Sequence, residues 1–419
     1  MIGIAIRKIE LKQISLIFFY LFLFFLPLHE APKNIFGGLF IISGLVFVAR
    51  DFTLSNRRTQ KGPNTLFFWV LLIFTFSPFL AGLGDTVLSQ TEKMSNALNW
   101  AIMPGICLVL FLLKLNERQV LGSIQILCFS GVIAIAESFL SWEGIYPQLN
   151  SVGHVNQSAL YAMFLAVGAA ILLVQEKPKV FHCFLAVVTL IAVIAYQGPA
   201  RSLVAFAGLS IILAVATLIY FGNRKDLFYL VVASLCGIVS IAVFAFAPAE
   251  KLWIYEDFKV ELEDRLRSTS NPYSQRDRLL NASLEIGGSS AFGFGIKSFS
   301  KVVTESALKA RVLNREGDWE EEKKEFFVST HGHSLFGNVL VERGWFGVTV
   351  LGLGLVVIGF NFLGRGFGGD PMAFLGVLTV GTVLLTGLGQ TTLHNEHGQL
   401  ALLLLVLTDR IVNLNRRSD

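Results

Sequence analysis

The stretch WFGVTVLGLGLVVIGFNFL, Trp345 to Leu363, decides the fold. It holds no charged residue, and at 1.5 Å per residue it reaches nearly across the roughly 30 Å of hydrocarbon in a bilayer. Trp345 at its head marks a membrane interface, where indole rings settle. Similar apolar runs recur along most of the 419 residues, of which 53% are hydrophobic and only 15% charged, with a mean hydropathy of +0.63. A soluble chain carries about a quarter charged residues. The sequence therefore reads as an all-α polytopic membrane protein.

Twelve spans are predicted, near 14–28, 35–49, 65–83, 97–113, 120–141, 155–174, 180–196, 202–221, 227–247, 345–363, 371–388 and 398–412. The distribution of basic residues tests that reading, because cytoplasmic loops hold the excess Lys and Arg. Segments assigned to the cytoplasm hold 17 of them, from Arg7, Lys8 and Lys12 to Arg365, Arg410, Arg416 and Arg417. The short loops on the other side hold only Lys33, Lys93 and Arg201. Both termini are thus expected in the cytoplasm. The first apolar run resembles a signal peptide, but LHEAPKN offers no small-x-small cleavage site, so an uncleaved span is expected. The cysteines, Cys107, Cys128, Cys183 and Cys236, lie inside apolar runs without the spacing of a disulfide framework or a zinc site.

One connection is long. Residues 248–332 carry 13 Lys and Arg against 15 Asp and Glu, a solvated and nearly neutral segment on the outer side. The chain then divides into a membrane part, 1–247, this loop, 248–332, and a second membrane part, 333–419. Within the loop, Lys251 to Arg267 mixes aromatic and charged residues as a helix lying on a membrane surface does. Ser274 followed by Asp277 has the form of a capping box that opens a helix from Gln275 to about Ile286. AFGFGIKSF reads as a glycine turn, and 305–325 as a solvated helix.

Arg201, in YQGPARSLVAF, is the oddest charge of the membrane part. It either snorkels to lipid headgroups or adds fixed charge to a helix N-terminus, where dipole and free N–H groups attract an anion. Arg276 and Arg278 fall in the first turn of the capped loop helix, where cations oppose the dipole. They pair with Asp277 and solvent, or they meet a negatively charged ligand. Two such helix starts on one face suit a diphosphate, which has many acceptor oxygens.

In STHGHSLFGNVLVERGWFG, His331 and His333 stand where the long loop enters a membrane helix. If that helix continues upward, His333 lies about 18 Å beyond the membrane edge, on a face shared with Gly337, Leu340, Gly344 and Gly347. A neutral imidazole suits removal of a proton from a hydroxyl. Metal binding is the weaker use, since His331 and His333 diverge on a helix and His394 and His397 lack the HExxH spacing. His154 and Asn156, in GHVNQSALY, stand at the outer start of the sixth predicted span as weaker binding candidates. Transport is the competing class, yet transporters carry ionisable residues near the bilayer midplane. Here the predicted spans are nearly free of charge, Glu137 being the main exception, and the polar residues gather on one side. That asymmetry favours an enzyme working at the outer face.

In their order, these residues resemble the O-antigen ligase and polymerase family of bacterial membrane glycosyltransferases. The resemblance runs from a G-x-x-R-S element at Gly198 to Ser202, through a loop arginine and G-x-G turn (Arg276, Gly293, Gly295), to H-S-L-F-x-x-x-L-x-E-x-G from His333 to Gly344. It covers roughly residues 150–350, with Leu280 where an aromatic residue often follows the loop arginine. It implies a protein of the bacterial inner membrane with its active site on the periplasmic face. The donor would be an undecaprenyl-diphosphate-linked glycan and the acceptor lipid A-core, with no nucleic acid involved. Arg201 and Arg276 would bind the diphosphate, with Arg278 beside them, and His333 would act as catalytic base. Neither a nucleotide nor a metal cofactor is implied. The ligase is the favoured expectation, and a polymerase acting on a second lipid-linked glycan is the alternative.

Overall fold

The computed structural model describes residues 11–54, 65–85, 87–113, 115–141, 148–150, 155–174, 180–196, 275–302, 334–387, 393 and 395–415. Among them there are helices and no strand. In chain order they are α1 (Leu11–Phe25), α2 (Glu30–Leu54), α3 (Thr65–Phe76, continued by a 3-10 turn Ser77–Leu80), α4 (Gln90–Leu112) and α5 (Glu117–Leu140). Then follow α6 (Val155–Leu173), α7 (Val180–Ala195), α8 (Gln275–Gly287) and the single turn α9 (Phe299–Val302). The chain ends in α10 (Leu335–Phe367), α11 (Pro371–Gly387) and α12 (Asn395–Asn415).

Among the described residues, five helices are long and apolar enough to cross a membrane: α2, α4, α5, α10 and α12. The apolar helices α1, α3, α6, α7 and α11 are shorter. Each predicted span on described residues overlaps one of these helices, while 202–221 and 227–247 lie outside the described residues. So do the surface helix expected at 251–267 and the solvated helix expected at 305–325.

The bundle grows from pairs of chain neighbours, α1 on α2, α6 on α7 and α10 on α11. α12 fills the centre, packing on α11, α6, α4 and α5. Its membrane-length segment is 83% buried, against 22–50% for the other four, as its central position requires. α4 and α5 open on full capping boxes, Ser89 with Glu92 and Asn116 with Gln119, which satisfy first-turn N–H groups no helix can satisfy itself.

Several sequence expectations are corrected. α4 begins at Gln90, seven residues before the predicted span, because Ser89 caps a polar first turn that hydropathy excludes. Lys33, Arg365 and Arg410, expected as loop cations, are buried within α2, α10 and α12 at 3%, 8% and 9% exposure. Arg365 meets Asp409 of α12 at 3.0 Å, and Asn413 donates to the other Asp409 oxygen at 2.8 Å. The segments near this end of the bundle are therefore less free of charge than the sequence suggested.

The helix through the opening motif is not continuous. Ser334 is extended (φ −141°, ψ 133°) and caps α10, which begins at Leu335. Gly344 breaks it with φ 63° and ψ −165°. The face expected to carry Gly337, Leu340, Gly344 and Gly347 therefore loses its phase at Gly344, and His333, expected on the same face, lies outside the described residues.

Candidate functional site

The break at Gly344 frees backbone groups that a helix would have paired with itself, and the glycine turn after α8 takes them up. Phe294 and Gly295 N–H donate to the carbonyls of Val341 and Glu342 at 3.0 and 2.9 Å. Trp345 and Phe346 N–H donate to the carbonyls of Ser290 and Ala291 at 3.3 and 3.0 Å. The two chains cross so closely that a Cβ on Gly293 would lie 2.4 Å from the Arg343 nitrogen, and one on Gly344 2.4 Å from the Ala291 carbonyl carbon. Both glycines have φ near +65°, a region side chains avoid. The turn predicted at AFGFGIKSF is thus a clasp on α10.

Side chains tighten the clasp. Glu342, 3% exposed, accepts the Lys297 N–H at 2.9 Å and a hydrogen bond from Asn338. Trp345 Nε1 donates to the Gly288 carbonyl at 3.1 Å. From the other side the Gly82 N–H donates to the Phe292 carbonyl at 2.8 Å, and Asn96 Nδ2 of α4 to the Ile296 carbonyl at 3.0 Å. Lys93 Nζ donates to the carbonyls of Gly82 and Asp85, tying the preceding loop to α4.

α8 runs parallel to the start of α10. Gly287 backs onto Leu340 near its C-terminal end, and Ser283 and Leu280 face Gly337 one to two turns earlier. The first turn of α8, which carries Arg276 and Arg278, therefore reaches about half a turn to one turn beyond the level of Ser334, the cap of α10. That cap, Ser334, is 5% exposed; its Oγ accepts the Gly337 N–H at 3.3 Å and donates to the Gly387 carbonyl at 3.4 Å. His333 precedes Ser334 in the chain.

Among the sequence candidates, Arg201, His154, His331 and His333 lie outside the described residues. Arg276 and Arg278 lie in the first turn of α8 and Asn156 in the first turn of α6, their side chains outside the described residues. The structure brings the helix starts of α8 and α10 together and leaves the remaining candidates unplaced.

Sequence reasoning missed a cavity of about 400 Å³ at the same end of the bundle. Its walls come from the starts of α2 (Glu30, Lys33, Asn34), α4 (Asn96, Asn99, Trp100) and α12 (Gly398, Gln399), with Lys297 from the clasp. A smaller gap shares Trp100 and Leu393 with it and reaches Leu335 and Glu342 on α10. Arg343, 6% exposed, lays its guanidinium 3.7 Å from the centre of the Trp100 ring. A polar cavity of this size falls in the range of small-molecule sites, roughly 300–1,000 Å³. The one local signal for it was the polar run QTEKMSNALNW opening α4. In comparisons with known proteins, no family model and no curated protein sequence matches the chain.

Proposed function

We propose that the chain is an inverting glycosyltransferase of the O-antigen ligase type. On this reading it lies in the bacterial inner membrane and moves a glycan from undecaprenyl diphosphate to a lipid A-core sugar at the periplasmic face. The observation that carries the reading is the parallel docking of α8 on α10. Its register runs the helix start bearing Arg276 and Arg278 to within about one turn of the cap residue that follows His333 in the chain, which supports a shared site.

In the reaction, His333 takes the proton of an acceptor hydroxyl. The freed oxygen bonds to the anomeric carbon from the face opposite the diphosphate, so the configuration inverts. The bond from that carbon to the diphosphate oxygen breaks, and the lipid diphosphate leaves with the electron pair. Arg201 and Arg276 meet the charge growing on that leaving group, with Arg278 beside them, which is the largest single term in many such sites. The diphosphate is already activated, so no nucleotide is consumed.

The test is reconstitution of the full-length protein with lipid-linked oligosaccharide and lipid A-core, in detergent with EDTA and without nucleotide. Glycan on lipid A-core, lost in His333→Ala and Arg201→Ala, supports the ligase. A ladder of longer lipid-linked glycans would make it a polymerase. Absence of both products, even with metal restored, would overturn the transferase reading in favour of transport.

A further inference from the structure

The cavity at the start of α2, α4 and α12 gathers charged and amide groups from three helices and the clasp. Lys33 lies in the first turn of α2, where a cation opposes the helix dipole, and is nevertheless 3% exposed. Lys297 has φ 64°, and no other described non-glycine residue has a positive φ. Glu342 and the clasp hold it there, and backbone held in a sparse region collects at functional positions. Both lysines line the cavity, with Glu30 as the one acidic group among the described residues of its wall. Gln399, also on the wall, keeps a buried Oε1 with no hydrogen-bond donor among the described residues. A buried acceptor left unmet costs about 1–3 kcal/mol, and a ligand hydroxyl would meet it. Trp100 completes the wall with an aromatic surface, and Asn99 with an amide.

Two cations, amides, an orphaned acceptor and an indole together describe a ligand with hydroxyls, an apolar ring face and an acidic group. We propose that this cavity receives the acceptor, as a sugar carrying a phosphate or a carboxylate. The acidic group meets Lys33 and Lys297, a hydroxyl donates to Gln399 Oε1, and the ring lies toward Trp100. The acceptor role rests on the transferase reading above. The neighbouring gap, which runs past Trp100 and Leu393 to Leu335, puts the cavity next to the start of α10.

The experiment is saturation-transfer NMR on the full-length protein in nanodiscs of zwitterionic lipid, with glucose, glucose 6-phosphate, glucuronate and glycerol 1-phosphate as probes. One or both acidic sugars should bind about tenfold tighter than glucose, the gain from one charge-assisted hydrogen bond. Whichever binds better identifies the acid. Lys33→Gln and Lys297→Asn should each weaken that sugar about tenfold and leave glucose unchanged. Should Lys33→Gln fail to fold, Lys297→Asn decides alone, since Asn tolerates a positive φ.

Equal binding of glucose, or acidic-sugar binding indifferent to Lys297→Asn, overturns the proposal. Displacement by glycerol 1-phosphate at equal concentration also overturns it and assigns the cavity to a lipid headgroup. The transfer assay separates the two readings. Transfer that ignores the acidic group on the acceptor, with Lys297→Asn fully active, sinks the acceptor subsite alone. Acidic-sugar binding without transfer to any acceptor sinks the transferase, and the acceptor role with it.

Discussion

Arg343 of α10 rests its guanidinium 3.7 Å from the centre of the Trp100 ring of α4, and its Nε makes no hydrogen bond among the described residues. A buried cation set against an indole face gains from the ring quadrupole, by about 2 kcal/mol or more once desolvated. This contact joins the clasped half of α10 to the wall of the cavity. In a double-mutant cycle with Arg343→Met and Trp100→Leu, thermal melting of the purified protein should yield a coupling of about 1–2 kcal/mol. Strict additivity would mean that the ring and the cation merely lie near one another.

The clasp should be the most sequence-intolerant element outside the bundle core. Gly293→Ala places a methyl 2.4 Å from the Arg343 nitrogen, and Gly344→Ala places one 2.4 Å from the Ala291 carbonyl carbon. Each also forces a side chain into a left-handed conformation, by itself worth about 1–2 kcal/mol. Both variants should lose more than about 2 kcal/mol. Gly352→Ala on the same helix, where the methyl meets open space, should be near neutral or slightly stabilising. Comparable melting of all three would mean that the crossing is loose.

How much of this was legible follows from where the information lies. The apolar helices announce themselves by composition, since a run such as Trp345 to Leu363 has no other stable solution in lipid. The start of α8 at Gln275 was readable from Ser274 and Asp277, a local signal for a local event. The polar first turn of α4 was missed because hydropathy cannot register it, although Ser89 followed by Glu92 was there to read. The break at Gly344 was hidden, because a glycine inside a helix and one at φ 63° look alike until the partner chain at 290–295 is placed. Lys33, Trp100 and Gln399 belong to three segments that meet only through packing, so no local pattern marks the cavity they share.

The Arg365–Asp409 pair offers a test of packing at the other end of α10 and α12. With side chains only 9% and 1% exposed, either ion left alone would be a buried charge without its counterion. Asp409→Leu or Arg365→Met should each cost about 3–5 kcal/mol. The double variant should recover much of that loss, because apolar groups of similar volume often replace a buried pair at little cost. Losses that simply sum in the double variant would assign the pair's contribution to shape and not to charge. No change in transfer activity is expected beyond that from lost folded protein, since the pair lies on the far half of α10 from its capped start.

Ser334 and His333 are neighbours in sequence with separable duties, and this separation tests the site most sharply. Ser334 caps α10 through the Gly337 N–H and reaches the Gly387 carbonyl at the end of α11. Ser334→Ala should therefore lower stability by about 1 kcal/mol, the usual worth of a cap, with activity falling only as positioning loosens. His333 lies outside the helix that Ser334 opens, so His333→Ala should leave the melting temperature within a degree or two. Transfer should nevertheless fall by about 10² to 10⁴, the worth of a positioned base. Melting curves and initial rates on the same preparations read both quantities. If His333→Ala melts early and loses activity only in proportion to unfolded protein, the residue is a structural neighbour of the cap, and the base must be sought elsewhere.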